Sequence, residues 1–121
     1  MCVDVLNGKP GILSARFSAQ GGNDKKTNIK LLELLKNEKN RRAHYYCAIV
    51  FITSCDASQP IIAEGIWQGE ILSSPRGKNG FGYDPIFIPK NKRKTFGEMS
   101  SLQKYKIDHR FAAFKKIRKF L

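Results

Sequence analysis

Two long runs of β-branched and aromatic residues constrain the fold of this chain more than any other feature. The first covers residues 43–53 and the second residues 61–72, with a polar turn at residues 54–60 between them. Strand-forming runs joined by a short turn favour an antiparallel hairpin. The apolar centre of the first run predicts a strand that is buried on both faces. His44, at the start of that run, is predicted to have a structural role.

Helices and shorter strands are predicted on either side of this hairpin. A helix is expected after Asp24 or Thr27 and a terminal helix after Asp108, because these side chains can cap a helix N-terminus. Their predicted core-facing residues are Ile29, Leu31, Leu32, Leu34 and Leu35 in the first helix, and Phe111, Phe114, Ile117 and Leu121 in the second. The remaining predictions are strands at 2–6 and 86–88, a loop at 19–23 and a helical turn at 101–106. Together they indicate an α/β fold, and 121 residues suit one domain, 1–121.

A glycine-rich segment at residues 77–87 has the chemistry of a ligand-binding loop. Its glycines allow close approach of a flat ligand to the backbone, and Phe81 or Tyr83 offers a ring for stacking. Asp84 can form hydrogen bonds at the edge of such a ligand. Two alternatives stay open for this segment. It resembles part of an RNA-recognition strand, although Pro85 argues against a continuing central strand, or it is a plain turn with Phe81 in the core.

Charge and cysteine content limit the partners and the compartment. The net charge is +12, and half of the 22 Lys and Arg residues lie in the last 32 positions, which favours polyanionic partners such as a nucleotide or a nucleic acid. Three cysteines without metal-binding spacing predict reduced thiols and a cytoplasmic protein. No run is long and apolar enough to predict a membrane span.

The start of the predicted terminal helix carries an unfavourable pair of residues. His109 and Arg110 directly follow the predicted cap Asp108, where cations oppose the helix dipole at a cost of about 0.3–1 kcal/mol each. Stability alone does not select such a pair. The pair therefore indicates a ligand that presents an anion or a carbonyl oxygen.

Four motifs in order resemble the non-canonical purine nucleoside triphosphate pyrophosphatases, the inosine triphosphatase or Ham1-like family. They are the Ser-Ala-Arg-Phe-Ser run at 14–18, the Gly-Phe-Gly-Tyr-Asp-Pro-Ile-Phe run at 80–87, Lys104 and the His-Arg pair. The resemblance implies an α/β fold with a mixed sheet, a homodimer, and Mg²⁺-dependent hydrolysis of ITP, dITP and XTP to the monophosphate and pyrophosphate. It also implies these substrate-binding residues: Phe81, Gly82, Tyr83, Asp84, Lys104, His109 and Arg110.

The chain also departs from the family pattern. The family's phosphate loop, acidic metal ligand and Asp-Asp-Ser-Gly segment have no match here, and residues 1–5 resemble the positions just after that segment. We therefore expect the chain to be the C-terminal portion of the domain, with no catalytic residue, no metal ligand and impaired activity; Asp4 is predicted to be structural. Ala19 stands where the family has glycine, and Asp108 stands where it has serine, so its carboxylate is expected to raise the pKa of His109.

Three functions follow as hypotheses. The first is the purine nucleotide pyrophosphatase, with its base-binding half present. The second is a basic nucleic-acid-binding module that stacks bases on Phe81 and Tyr83. The third is a noncatalytic fragment that binds no ligand.

Overall fold

A computed structural model describes residues 1–17, 23–56 and 58–121. The four strands among these residues form one sheet in the order β1-β2-β3-β4, and every pairing is antiparallel. The predicted α/β fold is confirmed, but the parallel pairing of a mixed sheet is not found among the described strands. The strands are β1 Cys2–Val3, β2 Arg42–Phe51, β3 Ile61–Ile71 and β4 Phe87–Pro89.

The β2–β3 hairpin is the centre of the sheet. Its register pairs Cys47 with Gly65 and Val50 with Ile62. Strands β2 and β3 end one or two residues from the predicted ends, so the prediction of a long hairpin is confirmed. The prediction that both faces of its first strand are buried is wrong. Side chains alternate between a covered inner face and an outer face on which Val50 is 56% exposed.

The helices are α1 Asp24–Leu34, α2 Ser101–Tyr105 and α3 His109–Ile117. Asp108 caps α3 as predicted, since its carboxylate accepts a hydrogen bond of 2.7 Å from the backbone N–H of Phe111. The cap of α1 is Asn23, whose side chain accepts from the N–H of residue 26, and not Asp24 or Thr27. A side-chain cap of this kind contributes about 1 kcal/mol.

Helix α3 packs on the inner face of the hairpin because the two backbones approach closely at Gly65. A Cβ atom at this glycine would lie 1.9 Å from the carbonyl oxygen of His109 and 2.7 Å from the nitrogen of Ala113. The face of α3 that enters this contact consists of His109, Ala113 and Ile117. This contact therefore places the N-terminus of α3, with its His-Arg pair, beside the inner face of the sheet.

Several predicted core positions are wrong, because tertiary contacts decide which face of a helix is buried. In α1 the buried residues are Thr27, Asn28 and Leu31, followed by Leu35, whereas Ile29 and Leu34 are exposed. Phe114 is exposed too, since α3 turns its small Ala113 towards Gly65, and Leu121, which lies beyond the end of α3, is also exposed. The buried apolar core is formed by Met1, Val3, Leu31, Leu35, Ala43, Ile71, Tyr83, Ile86, Phe87, Phe96 and Met99.

The N-terminal region and the loops need smaller corrections. The predicted strand at 2–6 ends at Val3 and continues as a 3-10 helix at Asp4–Leu6. A second 3-10 helix covers Gly11–Arg16. The loop predicted at 19–23 lies outside the described residues except for Asn23. Within the part of the chain that the structure describes, no helix could cross a membrane.

Candidate functional site

The glycine-rich segment folds as a tight loop between β3 and β4. Gly80 has a φ of +73°, which L-residues rarely adopt, and its backbone lies directly against the side chain of Asp84. The Asp84 carboxylate accepts a hydrogen bond of 3.0 Å from the N–H of Phe81. The loop is closed on itself in this way, and the ring of Phe81 remains 60% exposed.

Asp84 lies at the centre of a buried polar network. Its Oδ2 atom accepts a hydrogen bond of 2.5 Å from Lys104 Nζ, and its Oδ1 atom accepts one of 3.2 Å from the Tyr45 hydroxyl. Asp84 and Lys104 thus form an ion pair with little access to water. The contacts of Asp84 and Lys104 with a ligand remain a prediction. In the structure they bind each other and hold the loop against α2 and β2.

Helix α1 also holds the same loop. The N–H of Gly82 donates to Asp24 Oδ2 over 2.9 Å, and the Asn28 side-chain amide donates to the carbonyl oxygen of Gly82 over 3.1 Å. Both polar backbone groups of Gly82 are therefore bonded to the first turns of α1. The sequence analysis did not single out Asp24 or Asn28 for this role, because 58 and 54 residues separate them from the loop.

The two aromatic residues of the loop have different environments. Tyr83 is buried, and its hydroxyl donates a 2.7 Å hydrogen bond to the carbonyl oxygen of Ser14. Burial and the nearby negative charge of Asp24 raise the pKa of Tyr83 to about 12. Tyr83 is therefore a packed, neutral side chain. Phe81 alone of the two offers an exposed ring.

His109 lies at the first position of α3, with its ring stacked on Tyr45. The ring centroids are 4.8 Å apart and the planes differ by 10°. His109 is only 5% exposed, and its Nδ1 atom has no hydrogen-bond partner. Burial, and then the positive charge of Arg110, lower the pKa of His109 to about 4, while Lys104 and the amino terminus act in the same direction.

The expected effect of Asp108 on His109 is outweighed. The carboxylate does act to raise the pKa of His109, but burial and Arg110 lower it by more. Asp108 also directs one oxygen to the N–H of Phe111 at the start of α3. The prediction of a raised pKa is therefore wrong, and His109 is neutral near pH 7.

Two cations lie close to the exposed ring of Phe81. Lys104 Nζ is 4.5 Å from the ring centroid, and Arg110 Cζ is 5.1 Å from it. Such cation–π contacts stabilise the position of the ring. Arg110 is exposed, so its guanidinium remains accessible to a ligand beside the ring.

All seven predicted substrate-binding residues line one cavity of about 280 Å³. Its other lining residues, which the sequence analysis did not assign to the site, are Ser14, Ala15, Asp24, Thr27 and Tyr45. Ligand pockets for drug-sized molecules usually measure about 300–1,000 Å³. The cavity lies at the lower end of this range, and it combines an aromatic wall with the polar groups of His109 and Arg110.

The described residues do not fit a Mg²⁺ site. No group of three or more His, Cys, Asp or Glu side chains among them is arranged to hold a metal ion. Asp84 is engaged by Lys104, Tyr45 and the N–H of Phe81, and one oxygen of Asp24 accepts from Gly82. Mg²⁺ keeps several of its waters and is usually held through one or two carboxylates, and these carboxylate oxygens already accept hydrogen bonds from the protein.

The chain belongs to the Ham1 family, whose model matches residues 1–120. It is 49% identical over 118 residues to a dITP/XTP pyrophosphatase of Clostridium perfringens, covering 96% of this chain and 57% of that protein. A dITP/XTP pyrophosphatase of Nitrosomonas europaea is 42% identical, with 97% of this chain and 58% of that protein covered.

A solved structure agrees with the family assignment. The Ham1 protein of Staphylococcus aureus superposes with a TM-score of 0.92 at 39% identity, covering 98% of this chain and 61% of that one. The chain thus spans about 57–61% of the length of these relatives. The predicted family and its fold are confirmed.

Proposed function

We propose that the cavity binds the base of a non-canonical purine nucleotide, with ITP, dITP and XTP as the substrates. One observation carries this proposal: the exposed ring of Phe81 lines the same cavity as the neutral imidazole of His109 and the guanidinium of Arg110. A flat base stacked on Phe81 would present its edge to these two residues. Base–aromatic stacking contributes about 1–3 kcal/mol.

The polar groups support a preference for 6-keto over 6-amino purines. Arg110 offers only donors, while a neutral histidine offers one donor and one acceptor. A 6-keto purine presents a carbonyl oxygen next to a ring N–H, so both of its groups find complementary partners. Bound in the same orientation, a 6-amino purine directs its amino donor at Arg110, which has no acceptor, and the unpaired polar groups are a strong form of rejection.

The reaction proposed for the full family domain is hydrolysis of the nucleoside triphosphate to monophosphate and pyrophosphate, so we propose a hydrolase acting on acid anhydrides. The names of the curated relatives support this reaction. We propose that residues 1–121 form one domain that supplies the base-binding part. Mg²⁺ is proposed as the metal of the reaction, as the resemblance implies, and no described residue is assigned to it.

Pyrophosphate release tests the proposed reaction. The chain alone is expected to hydrolyse ITP and XTP negligibly, because its described residues hold no metal site and Asp84 is fully engaged. Joined to the upstream portion of the Clostridium perfringens relative, it is expected to release pyrophosphate from ITP in preference to ATP. The joined protein with Phe81→Ala is the control and should lose most of this turnover. Full activity of the 121-residue chain by itself would refute the proposal that this chain supplies only the base-binding part.

The nucleic-acid-binding alternative is not supported. It requires two exposed aromatic side chains, yet Tyr83 is buried and bonded to Ser14. The segment from Gly80 to Asp84 forms a loop instead of a strand of an open sheet.

A cytoplasmic location is also proposed, since Cys2, Cys47 and Cys55 are free thiols.

We further propose that the protein forms the homodimer implied by the family resemblance, through the outer face of the hairpin. This face exposes Tyr46, Val50, Ile62 and Ile66. Strands β2 and β3 contain no Lys or Arg between residues 43 and 71, although the whole chain has a net charge of +12. Two copies with a strong like charge can approach most closely through a face without cations.

A further inference from the structure

Tyr45, on β2, contacts more parts of the site than its place in the central hairpin suggests. Its ring stacks on the His109 ring, with 4.8 Å between the centroids, and contacts the Phe87 ring edge to face, with 4.7 Å between the centroids. Its hydroxyl donates to Asp84 Oδ1 over 3.2 Å. The side chain therefore contacts both the loop that carries Phe81 and the first residue of α3.

The Tyr45 hydroxyl remains a hydrogen-bond donor at all physiological pH values. Burial and the negative charge of Asp84 raise the pKa of Tyr45 well above 10. A permanent donor restricts the orientation of the carboxylate that it contacts. The second oxygen of Asp84 is held by Lys104 and by the N–H of Phe81, so the tyrosine hydroxyl completes the set that orients the loop.

We propose that Tyr45 is a positioning residue for base selection, which sets the plane of the His109 ring through stacking and the orientation of the Phe81 loop through Asp84. The two walls of the cavity come from segments far apart in sequence, and Tyr45 links them through direct contacts. Their relative position decides whether a stacked base can also reach the polar groups at its edge. The inference rests on the proposed function for the identity of the ligand, but not for the contacts.

The chain offers matched variants for a test. Tyr45→Phe removes the hydroxyl and keeps a ring to stack on His109. Tyr45→Leu removes both. Tyr46→Phe is the control, since the neighbouring Tyr46 lies on the outer face and its hydroxyl bonds to Glu64 at 2.6 Å. Circular dichroism verifies that each variant is folded.

The first measurement needs no nucleotide. The sequence contains two histidines, His44 and His109, so an NMR pH titration can follow His109 with the His44 signals as an internal reference. Tyr45→Leu is expected to raise the His109 midpoint from about 4 by about one unit as water reaches the ring. Tyr45→Phe and Tyr46→Phe should leave the midpoint unchanged. An unchanged midpoint in folded Tyr45→Leu would overturn the stacking role.

The second measurement is binding of ITP and ATP by calorimetry. Tyr45→Phe is expected to weaken ITP binding about 5- to 10-fold, the loss typical of one hydrogen bond, and to leave ATP binding nearly unchanged. Equal ITP affinities of Tyr45→Phe and Tyr46→Phe would overturn the role of the hydroxyl. If the unmodified chain binds no ITP while the His109 midpoint still shifts in Tyr45→Leu, the proposed ligand is wrong and the positioning of His109 stands.

Discussion

The inner and outer faces of the β2–β3 hairpin differ in how much of each is covered by other parts of the chain. On the inner face, Gly65 lies against the backbone of α3 and Tyr45 contacts His109 and Asp84. On the outer face, Val50 and Ile62 are each more than half exposed. The two faces therefore suggest different tasks, namely construction of a binding cavity on one side and contact with a second copy on the other.

The largest effect is expected for Gly65→Val on the inner face. A new Cβ would overlap the carbonyl oxygen of His109 at 1.9 Å, and backbone cannot move aside as a side chain can. We expect a loss of about 3 kcal/mol or more in the free energy of unfolding, measured by urea denaturation. Ala48→Val, at an exposed position of β2, is the matched control and should cost less than about 0.5 kcal/mol. Similar losses in both variants would contradict the close approach of α3.

The second effect concerns the buried ion pair beneath the Phe81 loop. Lys104→Met leaves the Asp84 carboxylate buried without its cation, which is expected to reduce the free energy of unfolding by about 3 kcal/mol. Lys106→Met, at an exposed neighbouring position, serves as the control and should change it by less than about 0.5 kcal/mol. Thermal denaturation of both variants provides the measurement. An unchanged midpoint of thermal denaturation in Lys104→Met would show that the ion pair adds nothing to the stability of the protein.

A smaller effect is the dependence of stability on pH through His109. The pKa of His109 is lowered from 6.5 to about 4 in the fold, so the unfolded chain binds a proton first as the pH falls. The contribution is complete above pH 6.5 and is lost as the pH falls towards 4.

Because the ring borders the cavity and is not packed against protein on that side, we expect a loss of only about 1–2 kcal/mol. Urea denaturation across this pH range measures it, with His109→Asn as the reference for the titration of all other groups. Parallel pH profiles for the two proteins would mean that His109 is not held neutral by the fold.

The smallest effect on stability is expected on the outer face. Val50→Lys should change the free energy of unfolding by less than about 1 kcal/mol, because the side chain is exposed and only strand propensity changes. Self-association should nevertheless be lost, since the variant adds a cation from each copy to the proposed interface. Light scattering after size-exclusion chromatography provides the readout, with Lys106→Met as the control. A dimer that persists in Val50→Lys would place the interface elsewhere.

Local patterns were sufficient to predict the hairpin, the cap at Asp108 and the loop that carries Phe81, because each depends on neighbouring residues. The candidate site was predicted from the family resemblance together with the unfavourable position of His109 and Arg110 at a helix start. The structure brings all seven of those residues to one cavity. Their roles in binding stay predictions.

The errors of the sequence analysis concern contacts between distant segments. Ile29 and Phe114 each fit an apolar stripe of their helix, but both are exposed. The contact of Asn28 with Gly82 sets the buried face of α1, and the close approach at Gly65 sets that of α3. Tyr45 appeared only as a strand residue, since nothing near it in sequence indicates Asp84 or His109. The pKa of His109 was predicted to rise because the charge of Asp108 is visible in the sequence, whereas burial is not.

Binding of ITP and ATP to the unmodified chain tests the central claim most directly. If a 6-keto purine stacks on Phe81 with its edge at His109 and Arg110, calorimetry should show ITP binding at least about tenfold more tightly than ATP. That difference should disappear in Phe81→Ala. Equal affinities for the two nucleotides, or an ITP affinity that does not depend on Phe81, would contradict the account.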